Sequence, residues 1–157
     1  MQVISLPLFW TIVVDILAWF FFHMAISIMC LKLPPAAFRN NAFWSRIYSW
    51  EKYGGLWHQL FRVKSWKSRL VDGATLFRKG YQKKSLHGMN RGDLRTFAME
   101  TKRAELTHWL SIVPAPLFFL WNPPLVGWLM IVYAVGFNMP FIITQRYNRG
   151  RIKKMLS

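Results

Sequence analysis

LVGWLMIVYAVGFNMPFIITQ, Leu125 to Gln145, runs for 21 residues without one charged side chain. As a helix it rises about 30 Å, the thickness of a bilayer's hydrocarbon core. A second stretch, Met1 to Leu31, has no Lys or Arg and a single acid, Asp15. The rest of the chain is strongly basic. Of its 21 Lys and Arg, 16 fall between Lys32 and Arg103 and the other five between Arg146 and Lys154. A soluble domain that is 54% hydrophobic seldom carries a formal charge of +15. Oil and charge are also separated along the chain, which is the pattern of an integral membrane protein.

A third apolar run, Leu106 to Trp121, has only 16 residues and ends in the turn signal Asn122-Pro123-Pro124. At about 24 Å of helical rise it is short for a full crossing. It reads either as a span that begins earlier or as a tilted, re-entrant segment. Trp109, Trp121 and Trp128 lie near its ends, where aromatic belts sit. Basic loops stay in the cytoplasm, so residues 32–105 and 146–157 are expected inside. Two inside regions need an even number of crossings between them. The expected fold is therefore all-α, a single multi-pass membrane domain over 1–157 with about three transmembrane helices (about 4–31, 106–121 and 125–144). The N-terminus is then outside, and the first run, lacking a positive start and interrupted by Asp15, is read as an uncleaved anchor over a signal peptide.

Between the first two runs, RIYSWEKYGGLWHQLFRVKSWKSRL (46–70) mixes Trp and Phe with Lys and Arg. Leu56, Leu60 and Val63 follow helical spacing, with Trp57 and Phe61 beside them. This predicts a partly helical, amphipathic cytoplasmic cap lying on an anionic bilayer surface. Turns are expected at Asp72-Gly73 and Gly80. No recognition motif supports nucleic-acid binding. The lone Cys30 excludes an intramolecular disulfide and reads as a small apolar residue.

The densest set of ionisable groups is ETKRAELTHWL, 100–110. On a helix His108 lies angularly between Glu100 and Glu105. Glu105-x-x-His108 spacing allows a hydrogen bond that orients the imidazole, and Glu100 and Arg103 can pair at i,i+3. Glu-x-x-His also occurs in di-metal sites, but those need a second pair and two further Glu, and six acids do not provide them; no metal is expected. Asp15 lies near the middle of the first span, where an acid is either functional or hydrogen-bonded to Asn138, Ser111 or Tyr133. His23 sits two helical turns later. Pro114, Pro116 and Pro140 are expected to bend their helices and border a pocket for an amphiphile. Gln145, Arg146, Asn148 and Arg149 stand at the end of the last span, where Arg suits phosphate.

RAELTHWL (103–110), WNPPLVGW (121–128), the Asn138–Arg149 stretch and the earlier SWEK…WK…DG…F-x-K-G pattern together resemble the glycosyl-diaponeurosporenoate acyltransferases of bacterial carotenoid biosynthesis. The likeness covers residues ~44 to 151. It implies a small bacterial inner-membrane protein that esterifies a sugar hydroxyl of a glycosylated carotenoid, or a related membrane glycolipid, with a fatty acyl group. The co-substrate would be acyl-CoA or an acyl carrier, with no bound cofactor.

O-acylation needs a base near pH 7, oxyanion donors and a site for the acyl donor. His108 is the expected base, oriented by Glu105 and supported by Glu100 and Arg103. Arg103, Asn122 and backbone amides are candidate oxyanion donors. Asp15, His23, Trp109, Asn138, Gln145, Arg146, Asn148 and Arg149 are the expected substrate-binding residues. No G-x-S-x-G elbow is present, which favours direct transfer without an acyl-enzyme. The rival reading is a non-catalytic glycolipid-binding scaffold or transport subunit.

Overall fold

The structure is a computed structural model and describes residues 3–39, 43–70 and 90–157. Among these the secondary structure is helical throughout. The described helices are α1 (Leu8–Lys32), α2 (Gly55–Phe61), α3 (Val63–Trp66), α4 (Arg91–Ile112) and α5 (Pro124–Leu156), with short 3-10 turns between them. α1 and α5 are long and apolar enough to cross a membrane. The expected turns at Asp72-Gly73 and Gly80 lie outside the described residues.

The chain divides into two compact units. One comprises the residues up to Leu33 together with Leu106–Pro140; the other comprises Pro34–Glu105 and Phe141–Ser157.

The first unit is built on α1 and the apolar part of α5. Trp19, Phe118, Ala115 and Ala134 form its core, with Phe22, Ile112, Trp121 and Met130 packed around them. Trp19 stacks on Phe118 at 4.5 Å and its indole N–H points to the Met130 sulfur. Outward-facing Phe9, Ile16, Leu17, Phe20, Leu125, Trp128, Leu129 and Val132 stay exposed, as a lipid-facing surface requires. Leu106–Trp121 is not one helix. α4 stops at Ile112, and Ala115–Leu120 is a 3-10 turn, because Pro114 and Pro116 remove donors from the ladder. By contrast α5 continues through Pro140 and through the basic tail, 33 residues in all.

The second unit packs Leu94 and Phe97 of α4 against Ile152 of α5. The amphipathic helix expected from Leu56 is broken. Arg62 takes a left-handed φ of 48° between α2 and α3, so Val63 turns inward and is fully buried while Leu60 and Phe61 are exposed. α5 and the 3-10 turn Ser49–Gly54 meet backbone to backbone. A Cβ on Gly150 would lie 2.5 Å from Gly54 N, and one on Gly54 would lie 2.7 Å from Tyr147 O.

Candidate functional site

In the first unit, the amide of Asn138 is fully buried and oriented by its own helix. Its Nδ2 donates to Ala134 O at 2.8 Å, one turn back. That leaves Oδ1 as the acceptor facing His108 Nδ1, 2.9 Å away. An acceptor there requires the proton on Nδ1, and in the neutral imidazole the lone pair then sits on Nε2. His108 thus carries its proton on Nδ1. Asn138, expected from sequence among the substrate-binding residues, is also a partner of the imidazole.

Asp15 is buried, and its Oδ1 accepts from Trp121 Nε1 at 2.7 Å and Asn122 Nδ2 at 2.8 Å. These partners replace the Asn138, Ser111 and Tyr133 expected from sequence. Ser111 donates to Thr107 O instead. With Nδ2 taken, Asn122 is a tie between the turn and α1. His23 is half-buried between aromatic neighbours, 5.5 Å from the Trp19 ring and 5.8 Å from Phe137. Trp109 is 41% exposed.

In the second unit the dominant feature is a buried charge network around Arg146. Its Nε and Nη2 bond the two oxygens of Glu51 at 3.0 and 2.6 Å; Nη1 bonds Glu105 Oε1 at 2.9 Å. The remaining hydrogens go to Trp44 O and Arg46 O, each at 3.0 Å. All five N–H donors of the guanidinium are engaged, so in this arrangement Arg146 has none left for a phosphate. Glu105 is completely buried, and its other oxygen accepts from Arg149 Nη2. Nε and Nη1 of Arg149 are buried without a partner among the described residues, as is Gln145 Oε1. Glu100 and Arg103 pair at 3.2 Å across one helical turn. Asn148 Oδ1 accepts from Lys67 at 3.1 Å.

Glu51 was not singled out from sequence. It is fully buried, and besides Arg146 it holds Tyr48 N at 3.0 Å and Trp57 Nε1 at 2.7 Å. Burial pushes its carboxyl up. The hydrogen bonds from Arg146, Tyr48 and Trp57 outweigh that, and its pKa ends below the usual carboxylate range. The available signal was scarcity, since there are only six acids against 21 Lys and Arg. Lys102 was missed as well. It is buried, donates to Phe38 O at 3.0 Å, and is held below the usual lysine range by burial and then by the charge of Arg149. Among the described residues no three His, Cys, Asp or Glu side chains converge on one point.

Residues 38–157 match the family model described as glycosyl-4,4'-diaponeurosporenoate acyltransferase. The chain is 36% identical over 138 residues to the protein of that name from Staphylococcus aureus strain RF122, covering 88% of this chain and 83% of the relative. It is 34% identical over 135 residues to the Staphylococcus haemolyticus protein, covering 86% and 78%. No solved structure matches it. Membership sets aside the non-catalytic scaffold. The chain belongs to the glycosyl-4,4'-diaponeurosporenoate acyltransferase family and is an acyltransferase.

Proposed function

We propose that this acyltransferase esterifies a sugar hydroxyl of a glycosylated carotenoid acid with a fatty acyl group, and that His108 is its general base. The supporting observation is the imidazole held by Asn138, with the lone pair on Nε2. In this reading Nε2 takes the hydroxyl proton as the sugar oxygen attacks the acyl carbonyl carbon. The tetrahedral intermediate collapses, the bond to the donor's thiol breaks, and the proton passes to that leaving group. Transfer is direct, with no acyl-enzyme.

The chain crosses the bacterial cell membrane three times, with the N-terminus outside and the basic segments in the cytoplasm. Contacts inside the first unit support this reading. Val3 N and Ile4 N both donate to Leu120 O, and Asp15 bonds Trp121 and Asn122. The start of α1 and the turn before α5 therefore share one end of that unit. Asp15 lies about 10 Å along α1 from Leu8. The turn thus sits below the helix start, so the second apolar run need not cover a full bilayer thickness.

The test is ester formation from radiolabelled acyl-CoA and a glycosylated carotenoid acid by detergent-purified protein. His108→Ala should lose about 10²–10⁴-fold in turnover while staying monodisperse. Asn138→Ala should lose less, and added imidazole should partly restore His108→Ala. Equal product from wild type and His108→Ala would remove His108 as base.

A further inference from the structure

Tyr53 is held at a left-handed φ of 53°, between Lys52 at 48° and Gly54 at 85°. That region is costly for any residue with a Cβ, and strain of this kind persists where surrounding structure imposes it, often at functional positions. Here the imposing element is α5. Its Gly150 backbone packs so closely on Tyr53 and Gly54 that no side chain fits between them.

The strained turn places Tyr53 in the wall of an open pocket of about 340 Å³, with Arg46, Ile47, Tyr48, Ser49 and Lys153 as the other lining residues. Hydrogen bonds from α5 and to Glu51 fix its frame. Arg146 holds Arg46 O at 3.0 Å, Lys153 Nζ holds Ile47 O at 3.2 Å, and Glu51 holds Tyr48 N at 3.0 Å. Among the described residues two cations line the pocket and no carboxylate does. Among the described residues the Arg46 guanidinium meets no carboxylate; its neighbour is the Tyr48 ring, 6.0 Å away. Lys153 Nζ lies 5.9 Å from the Tyr53 ring.

A small pocket with two cations that meet no carboxylate among the described residues, a hydroxyl and two phenol rings suits a phosphorylated ligand that carries a flat ring. It is too polar for an acyl chain. We infer that this pocket binds a nucleoside phosphate, with phosphate on Arg46 and Lys153 and the base against a tyrosine. Resting on the proposed acyl transfer, the ligand of that class is the adenosine bisphosphate end of an acyl-CoA, so the donor is a CoA thioester and not an acyl carrier protein.

The test is calorimetric titration of the full-length protein in detergent with adenosine 3',5'-bisphosphate, glycerol phosphate and inorganic phosphate. The bisphosphate should bind, the other two far more weakly. Arg46→Gln and Lys153→Gln should each raise its Kd about tenfold, Arg46→Gln without lowering the melting temperature, since that residue is exposed. No binding, or a Kd unchanged in both variants, overturns the inference. Glycerol phosphate binding as tightly also overturns it and gives the pocket to a lipid headgroup. Acyl transfer from a carrier protein without bisphosphate binding would remove this inference and leave the proposed function standing. Bisphosphate binding sensitive to Arg46 without any transfer would do the opposite.

Discussion

Arg146 meets Glu51 side-on, Nε to Oε2 at 3.0 Å and Nη2 to Oε1 at 2.6 Å, across 95 residues of sequence. Two parallel charge-assisted hydrogen bonds of this kind need a planar fork. The same guanidinium holds Glu105 and two carbonyls of the segment before Ser49, so one side chain joins α4, α5 and that segment.

Arg146→Lys should therefore destabilise the protein strongly although charge is kept. A lysine cannot fill five positions, and breaking a buried pair costs about 3–5 kcal/mol. Thermal unfolding in mild detergent would show a large fall. A melting temperature within a degree of wild type would mean that the network contributes little.

The same pair makes stability depend on pH. The pKa of Glu51 is lower folded than unfolded, so the unfolded state binds the proton more readily. Its contribution is present above the unfolded carboxylate pKa of about 4.3 and is lost as pH falls through the lower folded value. Melting temperature followed downward from pH 6 should drop in this window. Glu51→Gln should lower stability at neutral pH and flatten that drop.

Asp15 offers a test of structural against functional use of a buried acid. Asp15→Asn keeps an acceptor for Trp121 and Asn122 and should fold nearly as well. Asp15→Leu strands both donors and should cost about 1–3 kcal/mol. If Asp15→Asn folds but no longer turns over, the charge itself serves the reaction; if both readouts survive, Asp15 is a structural tie.

Gly150 and Gly136 lie on the same helix and should respond in opposite directions. Gly150→Ala drives a Cβ into the backbone of Tyr53 and Gly54 and should cost about 1–3 kcal/mol. Gly136 has nothing within 4 Å of a Cβ, so Gly136→Ala should be neutral or gain up to about 1 kcal/mol from helix propensity. Unfolding midpoints of the two variants check this directly.

Parts of the candidate site were legible before any fold. His108 stood out as a histidine beside carboxylates at the edge of an apolar run, and Glu100–Arg103 followed from helical spacing. Asn138 as a partner of His108 was not legible, because it is 30 residues away on another helix. Nor was it legible that both oxygens of Glu105, expected at i,i+3 to orient the imidazole, accept from arginines of α5. Glu51 had no local pattern to mark it, and its importance arises only where Arg146 and Trp57 converge. The amphipathic stretch from Leu56 failed for a local reason, since its spacing carries no sign of the left-handed Arg62 that splits it.

The sequence by itself determined the all-helical class, the two long apolar helices and the family. Those depend on hydropathy, charge and motif order summed over contiguous residues, and no folded partner is needed to read them. Tertiary structure alone decided which donor meets which carboxylate and that Arg146 and Arg149, after the last apolar run, are buried. The physical reason is that a buried charge takes whatever partner the packing brings within hydrogen-bond distance. In this chain Arg146 lies 41 residues from Glu105 and 95 from Glu51, and Asn122 lies 107 from Asp15.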